Sequence, residues 1–306
     1  MTEQFSSDRV IVTGSNGYIG ASLVRELKSS NIEFLGLSRF KVPSSKSIHS
    51  EKPPTVVPSH WFDSISQFKP TKLVLCDWQG VTAQKRDERD QYENILRWSS
   101  ITQRALECGV EKIVALGSQA ELSSIQDGVT ESEVPKPRSE YGFAKMEAYE
   151  KLKAIIESYS KEFVWARIFS IYGDNMSRDL FLTKIIRAIN NQEKLSTTSL
   201  TQIWNYLHED DCARALLFLL GSGISGTYHV ASRRSLPLID LVRLVAMYLG
   251  KPVSLDIGSV PFRRDDTLVM RPNIDKLSTL GWKELIPLES GIKQLVNVIS
   301  GEKVVN

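Results

Sequence analysis

The sequence predicts an α/β fold in which helices cover both faces of a doubly wound parallel sheet, followed by a smaller α/β part. Short apolar runs alternate with longer amphipathic segments between Val10 and Tyr172. This alternation is typical of parallel strands that are joined by crossover helices. Beyond Gly173 the alternation loosens, which predicts a part of different organisation. The length, 306 residues, allows one large domain or two modest ones.

Each element is predicted from its own pattern of apolar residues. Apolar and β-branched runs predict strands at Val10–Thr13, Glu33–Ser38, Lys72–Cys76, Lys112–Leu116 and Phe163–Ile168. Helical spacing predicts helices from Tyr18, at Trp61–Phe68, at Arg89–Cys108 (with Ile95, Trp98, Ile101 and Leu106 facing the core) and at Tyr141–Ser160. The second part is predicted to contain helices at Phe181–Asn190, Ala213–Leu220, Leu238–Leu249, Ile274–Leu280 and Leu288–Ile299, and strands at Trp204–Leu207 and Gly226–Val230. Asp210 or Asp211 is expected to cap the helix at 213–220, and residues 41–58 are expected to form a polar loop.

Composition argues against several classes of partner. The net charge is +2, so we expect no strong field for nucleic acid or for an acidic membrane surface. The longest apolar run, Ala215–Leu220, is far too short to span a bilayer, and the polar N-terminal residues are not expected to be a signal peptide. The cysteines, Cys76, Cys108 and Cys212, are far apart and have no metal-ligand spacing. We expect them to be reduced thiols of a cytoplasmic protein.

The segment VIVTGSNGYIG at 10–20 places three glycines between the first predicted strand and the first predicted helix. This context indicates a dinucleotide site, and the alternative is an ordinary turn between a strand and a helix. Gly14 permits a tight turn, Gly17 lets the backbone approach a pyrophosphate, and Gly20 lets the helix pack close to the strand. The helix start adds free N–H groups and the positive end of a dipole. The cofactor contacts expected in this loop are Gly14, Asn16, Gly17, Tyr18, Ile19 and Gly20.

The second predicted strand ends at Ser38 and is followed by Arg39. An acidic residue at this point would accept hydrogen bonds from the ribose hydroxyls of NAD. A small hydroxyl beside a guanidinium suits a 2′-phosphate better, because arginine pairs with phosphate through two N–H groups. Ser38 and Arg39 are therefore expected to bind the cofactor and to favour NADP over NAD, unless Arg39 is simply a surface residue at a strand end.

Tyr141 and Lys145 lie four residues apart in PRSEYGFAK, so on a helix they face the same side. A lysine ammonium within reach is expected to stabilise the phenolate and lower the pKa of the tyrosine. The pair could then exchange a proton with a carbonyl or an alcohol. Ser118 follows the predicted strand Lys112–Leu116 and could hydrogen-bond the same substrate oxygen. Taken singly, a turn serine and a solvent-facing Tyr–Lys pair are the simpler interpretations, so the indication comes from the conjunction with the glycine loop.

This conjunction resembles the extended short-chain dehydrogenase/reductase family, the NAD(P)-dependent nucleotide-sugar epimerases, dehydratases and reductases. The resemblance covers nearly the whole chain. The segments that carry it are TGSNGYIG at 13–20, Asn94 in QYENI, PRSEYGFAK at 137–145, ARIFSIYG at 166–173, WNYLHEDDCARA at 204–215, FRRDD at 262–266 and LGWK at 280–283.

The resemblance implies a Rossmann sheet braced by Asn94. Residues 1–172, with 203–230 returning to them, would bind the dinucleotide, and residues 173–202 and 231–306 would bind a nucleotide-sugar. Catalysis would belong to Ser118, Tyr141 and Lys145, with Lys145 also holding the nicotinamide ribose. The implied substrate contacts are Gln119, Ser170, Trp204 and Arg263. The predicted helices Arg89–Cys108 and Tyr141–Ser160 would form the interface of a homodimer. The same apolar faces also suit packing within one chain.

Departures from the family pattern bear on which of the family's reactions this chain is expected to catalyse. Gln119 and Ala120 stand where dehydratases of the family carry an Asp–Glu acid–base pair, so dehydration is not expected. Asp77 and Trp78 follow Cys76 where the family usually has His-Leu-Ala. The acidic run at 208–211 is expected to be a helix start rather than a metal site, and no metal is predicted.

We therefore expect an NADPH-dependent reductase of a nucleotide-activated 4-keto-6-deoxy sugar, of the kind used to make deoxyhexoses for surface polysaccharides. The alternatives are an NAD-dependent nucleotide-sugar epimerase with the same catalytic residues and, less favoured, a non-catalytic NAD(P)-binding regulator.

Overall fold

A computed structural model describes residues 8–38, 47–49, 58–82, 85–122, 127–174, 180–262 and 267–301. Arg39, Arg263 and residues 41–46 and 50–57 of the predicted loop lie outside the described residues. Within the predicted loop, Ser47–His49 form a short strand that pairs in parallel with the strand Glu33–Ser38, so the expectation of a loop throughout 41–58 is wrong. The chain divides into two compact units. The first unit comprises Met1–Ser123, Glu133–Ile168 and Cys212–Val230, and the second comprises Ser124–Ser132, Phe169–Asp211 and Ala231–Asn306.

Strands and helices alternate along the described chain. The strands are Arg9–Thr13 (β1), Glu33–Ser38 (β2), Ser47–His49 (β3), Lys72–Leu75 (β4), Lys112–Ser118 (β5), Asp127–Val129 (β6), Glu162–Ile168 (β7), Ser170–Tyr172 (β8), Ser196–Thr197 (β9), Ile203–His208 (β10), Gly226–Val230 (β11), Ser235–Pro237 (β12), Asp256–Ile257 (β13) and Arg271–Pro272 (β14). The α-helices are Tyr18–Ser29 (α1), Ser59–Phe68 (α2), Glu93–Glu107 (α3), Glu140–Ser158 (α4), Phe181–Asn191 (α5), Glu209–Gly221 (α6), Leu238–Leu249 (α7), Asp275–Thr279 (α8) and Leu288–Gly301 (α9). No helix of this described part is long and apolar enough to cross a bilayer.

The first unit is built on a parallel sheet whose described strands run in the order β11-β7-β5-β4-β1-β2-β3. The chain moves outward in one direction from β1 to β3 and in the other from β4 to β11. The order therefore reverses between β1 and β4, and ligands of such sheets bind outside the carboxyl ends of the strands at this point. The predicted doubly wound α/β fold is confirmed.

The core of the first unit follows from the sequence patterns. The inner strands are continuous apolar runs, and every residue of β5 is buried. Helix α3 buries the side chains predicted to face the core, which are Ile95, Trp98, Ile101 and Leu106. This helix begins at Glu93 rather than Arg89, because Arg89–Tyr92 form a 3₁₀ turn before it. Strand β5 extends to Ser118, beyond its predicted end, because its pairing with β7 continues to Ile168.

The second unit has small sheets and a helical core of its own. Strands β12, β10 and β8 form a three-stranded sheet, and β13 pairs with β9 and β14 with β6. Helices α5, α7 and α9 supply most of the apolar side chains of its core. The expectation of a smaller α/β part towards the C-terminal end agrees with this architecture.

The predicted cap of the helix at 213–220 is wrong. Helix α6 begins at Glu209, so Asp210 and Asp211 lie in its first turn and do not cap it. The backbone N–H of Asp210 donates to Nδ1 of His208 at 3.2 Å, so the histidine before the helix takes the capping role. The Asp211 carboxylate accepts the backbone N–H groups of Leu285 and Ile286 at 2.8 and 2.9 Å. The aspartate is therefore used to hold a later segment of the second unit.

Candidate active site

The glycine loop lies at the carboxyl end of β1. Gly14 has a φ of 62°, which favours glycine, and the N–H of Gly17 donates to the Gly14 carbonyl at 2.7 Å. A Cβ on Gly20 would lie 2.2 Å from the Gly14 carbonyl oxygen, so a side chain there would fill the close contact between loop and helix. Tyr18 and Ile19 are the first residues of α1, directly after the turn. This bare backbone and the helix start that follows it fit the pyrophosphate of a dinucleotide.

The end of β2 is tied to this loop. The side-chain amide of Asn16 donates to the Ser38 hydroxyl at 2.7 Å, and Ser38 is buried. The two residues expected to serve the adenosine end of a cofactor are therefore adjacent. Their contact with a cofactor, like that of Arg39, stays a prediction.

The contacts of the segment after β4 account for Asp77, the aspartate that departs from the family pattern. The Thr13 hydroxyl accepts the backbone N–H groups of Cys76 and Asp77 at 3.0 and 3.3 Å. The Asp77 carboxylate pairs with the buried Arg97 guanidinium at 2.7 Å and also accepts the indole N–H of Trp98 at 2.9 Å. Because its charge is matched by an arginine on α3, Asp77 does not present an unpaired negative charge to a diphosphate.

Asn94 holds the same segment to α3. Its side-chain oxygen accepts the backbone N–H of Gln79 at 2.9 Å and an N–H of Arg97 at 2.6 Å. Its amide donates to the carbonyls of Gln79 and Gln91 at 3.3 and 3.0 Å. In the structure the asparagine therefore braces the turn after β4.

Ser118, Tyr141 and Lys145 are brought together at the carboxyl end of β5. Ser118 lies close enough to the Tyr141 side chain to lower the pKa of the phenol, and all three side chains are buried. The Lys145 ammonium donates to the carbonyl oxygen of Leu116 at 2.7 Å and lies 5.9 Å from the centre of the Tyr141 ring. A hydroxyl–phenol pair of this kind can share a proton with a substrate oxygen.

The expectation that the Lys145 ammonium lowers the pKa of the Tyr141 phenol is wrong. Burial raises the pKa of Tyr141, and the influences that lower it are the neighbouring Ser118 side chain and the charge of Arg86. The guanidinium carbon of Arg86 lies 5.2 Å from the centre of the tyrosine ring. Lys145 was expected to lower the phenol pKa, but its own pKa is lowered by burial to about 7. Nothing in the sequence pattern singled out Arg86, which lies in a polar segment.

Glu121 is a second residue that the sequence reasoning missed. Its carboxylate accepts the backbone N–H of Ser118 at 2.6 Å, while the Ser118 hydroxyl accepts the N–H of Ala120 at 3.1 Å. This reciprocal arrangement is a capping box, whose Ser-x-x-Glu signature is visible in the sequence. Glu121 also pairs with Arg167 at 3.0 Å and accepts the indole N–H of Trp165. The backbone of Ser118 is therefore held by the buried ion pair of Glu121 and Arg167.

The predicted substrate contacts fall in different places. Gln119 lies in the 3₁₀ turn directly after Ser118, in the first unit. In the second unit, the indole N–H of Trp204 donates to the Ser170 hydroxyl at 2.7 Å, and Trp204 packs against the core of that unit. Arg263 lies outside the described residues. Among the residues that the structure describes, no cluster of His, Cys, Asp or Glu suits a metal ion. This holds also for the run at 208–211.

Comparisons with known proteins agree with this geometry. Residues 10–231 match the NAD dependent epimerase/dehydratase family. The chain is 23% identical over 305 residues to GDP-L-fucose synthase of Sinorhizobium fredii, covering 93% of each chain. It is 25% identical over 253 residues to 2'-dehydrokanamycin reductase of Streptomyces kanamyceticus, covering 80% of this chain and 67% of the relative.

Among solved structures, the UDP-glucose 4-epimerase of Thermotoga maritima with UDP-glucose superposes with a TM-score of 0.83 at 17% identity, covering 96% of this chain and 99% of that one. At this identity the likeness shows the fold. The family match extends over more than half of the sequence and spans the glycine loop, Ser118, Tyr141 and Lys145. This chain is therefore an enzyme of the NAD-dependent epimerase/dehydratase family, which corresponds to the resemblance seen in its sequence.

Proposed function

We propose that this protein catalyses the NADPH-dependent reduction of a nucleotide-activated 4-keto-6-deoxy sugar. The observation that carries the proposal is that the buried side chains of Ser118, Tyr141 and Lys145 lie together at the carboxyl end of β5. The nicotinamide, when bound, supplies the hydride that the keto carbon accepts. Tyr141 donates its phenolic proton to the oxygen of that carbon, and Ser118 holds the oxygen in place. Hydride and proton together convert the ketone into an alcohol.

The protonation state of Tyr141 supports reduction rather than oxidation. Burial raises the pKa of this phenol, so the protonated form dominates at neutral pH. A protonated phenol is the form required to donate to a developing alkoxide, whereas oxidation of an alcohol first requires a base. Gln119 and Ala120 offer no acid or base for elimination of water, and Glu121 is already bound to the Ser118 backbone and to Arg167.

The cofactor contacts are part of the same proposal. Gly14, Gly17 and Gly20 with the start of α1 hold the pyrophosphate, and Lys145 holds the nicotinamide ribose. Ser38 and Arg39 select NADP through its 2′-phosphate, because a guanidinium can make two N–H hydrogen bonds to a phosphate. Asn16, Tyr18 and Ile19 complete the loop.

Substrate contacts and assembly are also proposals. Gln119, Ser170, Trp204 and Arg263 contact the nucleotide-sugar. We propose a homodimer that acts in the cytoplasm, a compartment in which the thiols of Cys76, Cys108 and Cys212 stay reduced.

The second candidate function is an NAD-dependent nucleotide-sugar epimerase. It is favoured by the likeness in fold to UDP-glucose 4-epimerase and uses the same Ser118, Tyr141 and Lys145. An epimerase regenerates its cofactor in each cycle, so it turns over without added NADPH. A non-catalytic regulator is disfavoured because all three catalytic side chains are present.

The first test is fluorescence titration of the purified protein with NADPH and with NADH. Preferential binding of NADPH to a protein purified without cofactor supports the reductase, and NADPH oxidation is then measured with a panel of 4-keto-6-deoxy sugar nucleotides. Tightly retained NAD that does not exchange would replace this proposal with the epimerase. Preference for NADPH without turnover of any sugar in the panel would contradict the proposed substrate.

A further inference from the structure

The ammonium group of Lys145 lies among aromatic rings. Its nitrogen is 3.8 Å from the ring centre of Trp78 and 4.2 Å from that of Trp98, and the side chain is 2% exposed. One N–H donates to the carbonyl oxygen of Leu116 at 2.7 Å. Both ring distances are well within the roughly 6 Å at which a cation is attracted to an aromatic face. We call Trp78 and Trp98 the aromatic cage.

Both rings of the cage are held by their indole N–H groups. Trp78 donates to the side-chain oxygen of Gln91 at 2.7 Å, and Trp98 donates to the Asp77 carboxylate at 2.9 Å. The amide of Gln91 donates in turn to the carbonyl of Gly80 at 2.8 Å. The two rings meet edge to face, with centres 4.8 Å apart and planes at 83°. Because each ring is anchored at its polar edge, its face remains directed at the ammonium.

A buried ammonium has lost its hydration and needs replacement interactions. Burial lowers the pKa of Lys145 to about 7, and the acidic groups of Glu121, Asp77 and Cys76 act in the opposite direction, while Arg97 adds to the lowering. These groups approach from the turn after β5, from the segment after β4 and from α3. With the pKa near neutrality, a modest attraction from the ring faces decides which form of the lysine predominates.

We propose that Trp78 is a positioning residue, which together with Trp98 keeps Lys145 charged and holds its ammonium in one place. The inference deepens the proposed function, on which it rests, because it explains how the ribose-holding lysine is kept ready for NADP. Trp78 stands in the segment Cys76-Asp77-Trp78 where the sequence departs from the family pattern. These two residues of the departing segment both serve the cage: Asp77 accepts the indole N–H of Trp98, and Trp78 supplies the other ring.

The test replaces Trp78 with tryptophans that carry one, two or three fluorine atoms on the benzo ring, introduced at this position alone. Fluorination weakens the negative face of the ring while changing its shape little, so the fold is preserved. The pKa of Lys145 is read from the carbon-13 resonance of its Cε in lysine-labelled protein, assigned by its loss in Lys145→Gln. The same tryptophans at Trp61, which is also 2% exposed but lies on α2, serve as the control.

We expect the Lys145 pKa to fall stepwise with each fluorine at position 78, by about 1 in total, and to stay constant in the position 61 series. An unchanged pKa across the position 78 series overturns the proposal, as does an equal response in both series. The NMR titration needs neither substrate nor turnover. If the keto-sugar panel shows no NADPH oxidation while the stepwise fall is present, the reductase assignment fails and the cage stands.

Discussion

Replacing Glu121 with glutamine tests whether Ser118, the serine proposed for catalysis, depends on the buried ion pair of Glu121 and Arg167. The glutamate carboxylate accepts the Ser118 N–H at 2.6 Å, the Arg167 Nε–H at 3.0 Å and the Trp165 indole N–H at 3.0 Å. An amide of the same size offers one oxygen and turns an NH₂ group towards the remaining donors. Glu121→Gln therefore leaves at least one of these donors without an acceptor and leaves the Arg167 charge without its counter-ion.

The magnitude follows from the burial of both partners. The side chains of Glu121 and Arg167 are 1% and 4% exposed. Removing one partner of a buried pair lowers the free energy of unfolding by about 3–5 kcal/mol. For a chain of 306 residues, each kcal/mol corresponds to about 1.6 °C, so we expect Tm to fall by roughly 5–8 °C. Activity at a permissive temperature should also fall, because the Ser118 backbone loses its anchor.

Thermal denaturation followed by circular dichroism measures the effect. Glu157→Gln is the matched control, because Glu157 is 64% exposed and its oxygen lies 3.9 Å from the Lys153 nitrogen. Removing such a surface pair should change the stability by no more than about 0.5 kcal/mol. If Glu121→Gln melts within 2 °C (about one kcal/mol or less) of the unsubstituted protein, as the control should, the ion pair does not support this site.

Three further predictions concern the proposed cofactor site and the residues proposed for catalysis. Tyr141→Phe should lower kcat by about 10²–10⁴-fold without weakening NADPH binding, whereas Tyr149→Phe should leave kcat unchanged; equal kcat values in a steady-state assay would remove Tyr141 from the mechanism. Gly20→Ala should abolish cofactor fluorescence changes, because its Cβ would lie 2.2 Å from a loop carbonyl, while Gly223→Ala, whose Cβ meets nothing within 4 Å, should bind normally; similar affinities would refute the role of the loop. The folded-state pKa of Lys145 is about 7 and the unfolded-state value is about 10.4, so the unfolded state binds more protons between these values. The stability of the protein relative to Lys145→Met should therefore rise as the pH increases from about 7 to about 10, and a Tm difference that is independent of pH would contradict the lowered pKa.

Local patterns in the sequence were sufficient to predict the position of the glycine loop and the proximity of Tyr141 and Lys145. The glycines sit between a strand and a helix that adjoin in sequence, and four residues on a helix bring two side chains to one face. The alternation of apolar runs was sufficient for the doubly wound sheet, and the sheet in turn places Ser118 at the edge where ligands bind. These inferences succeed because each depends on contacts within one element or on a general rule of chain topology.

The start of α6 shows where local reasoning failed. Acidic residues at a helix start are good caps in general, yet Asp211 is used by Leu285 and Ile286, which lie more than 70 positions away in the sequence. The competition between a local cap and a distant backbone segment has no signature within the helix itself.

The sequence by itself determined the fold class, the family, the position of the glycine loop and the three side chains proposed for catalysis, because repeating apolar patterns and short motifs encode local geometry. Only the tertiary structure decided what surrounds those side chains. The pair of Asp77 with Arg97, the pair of Glu121 with Arg167 and the cage around Lys145 join residues on different strands, turns and helices. Burial and charge at one atom depend on every element packed around it, so the protonation of Tyr141 and Lys145 follows from packing that no single segment specifies.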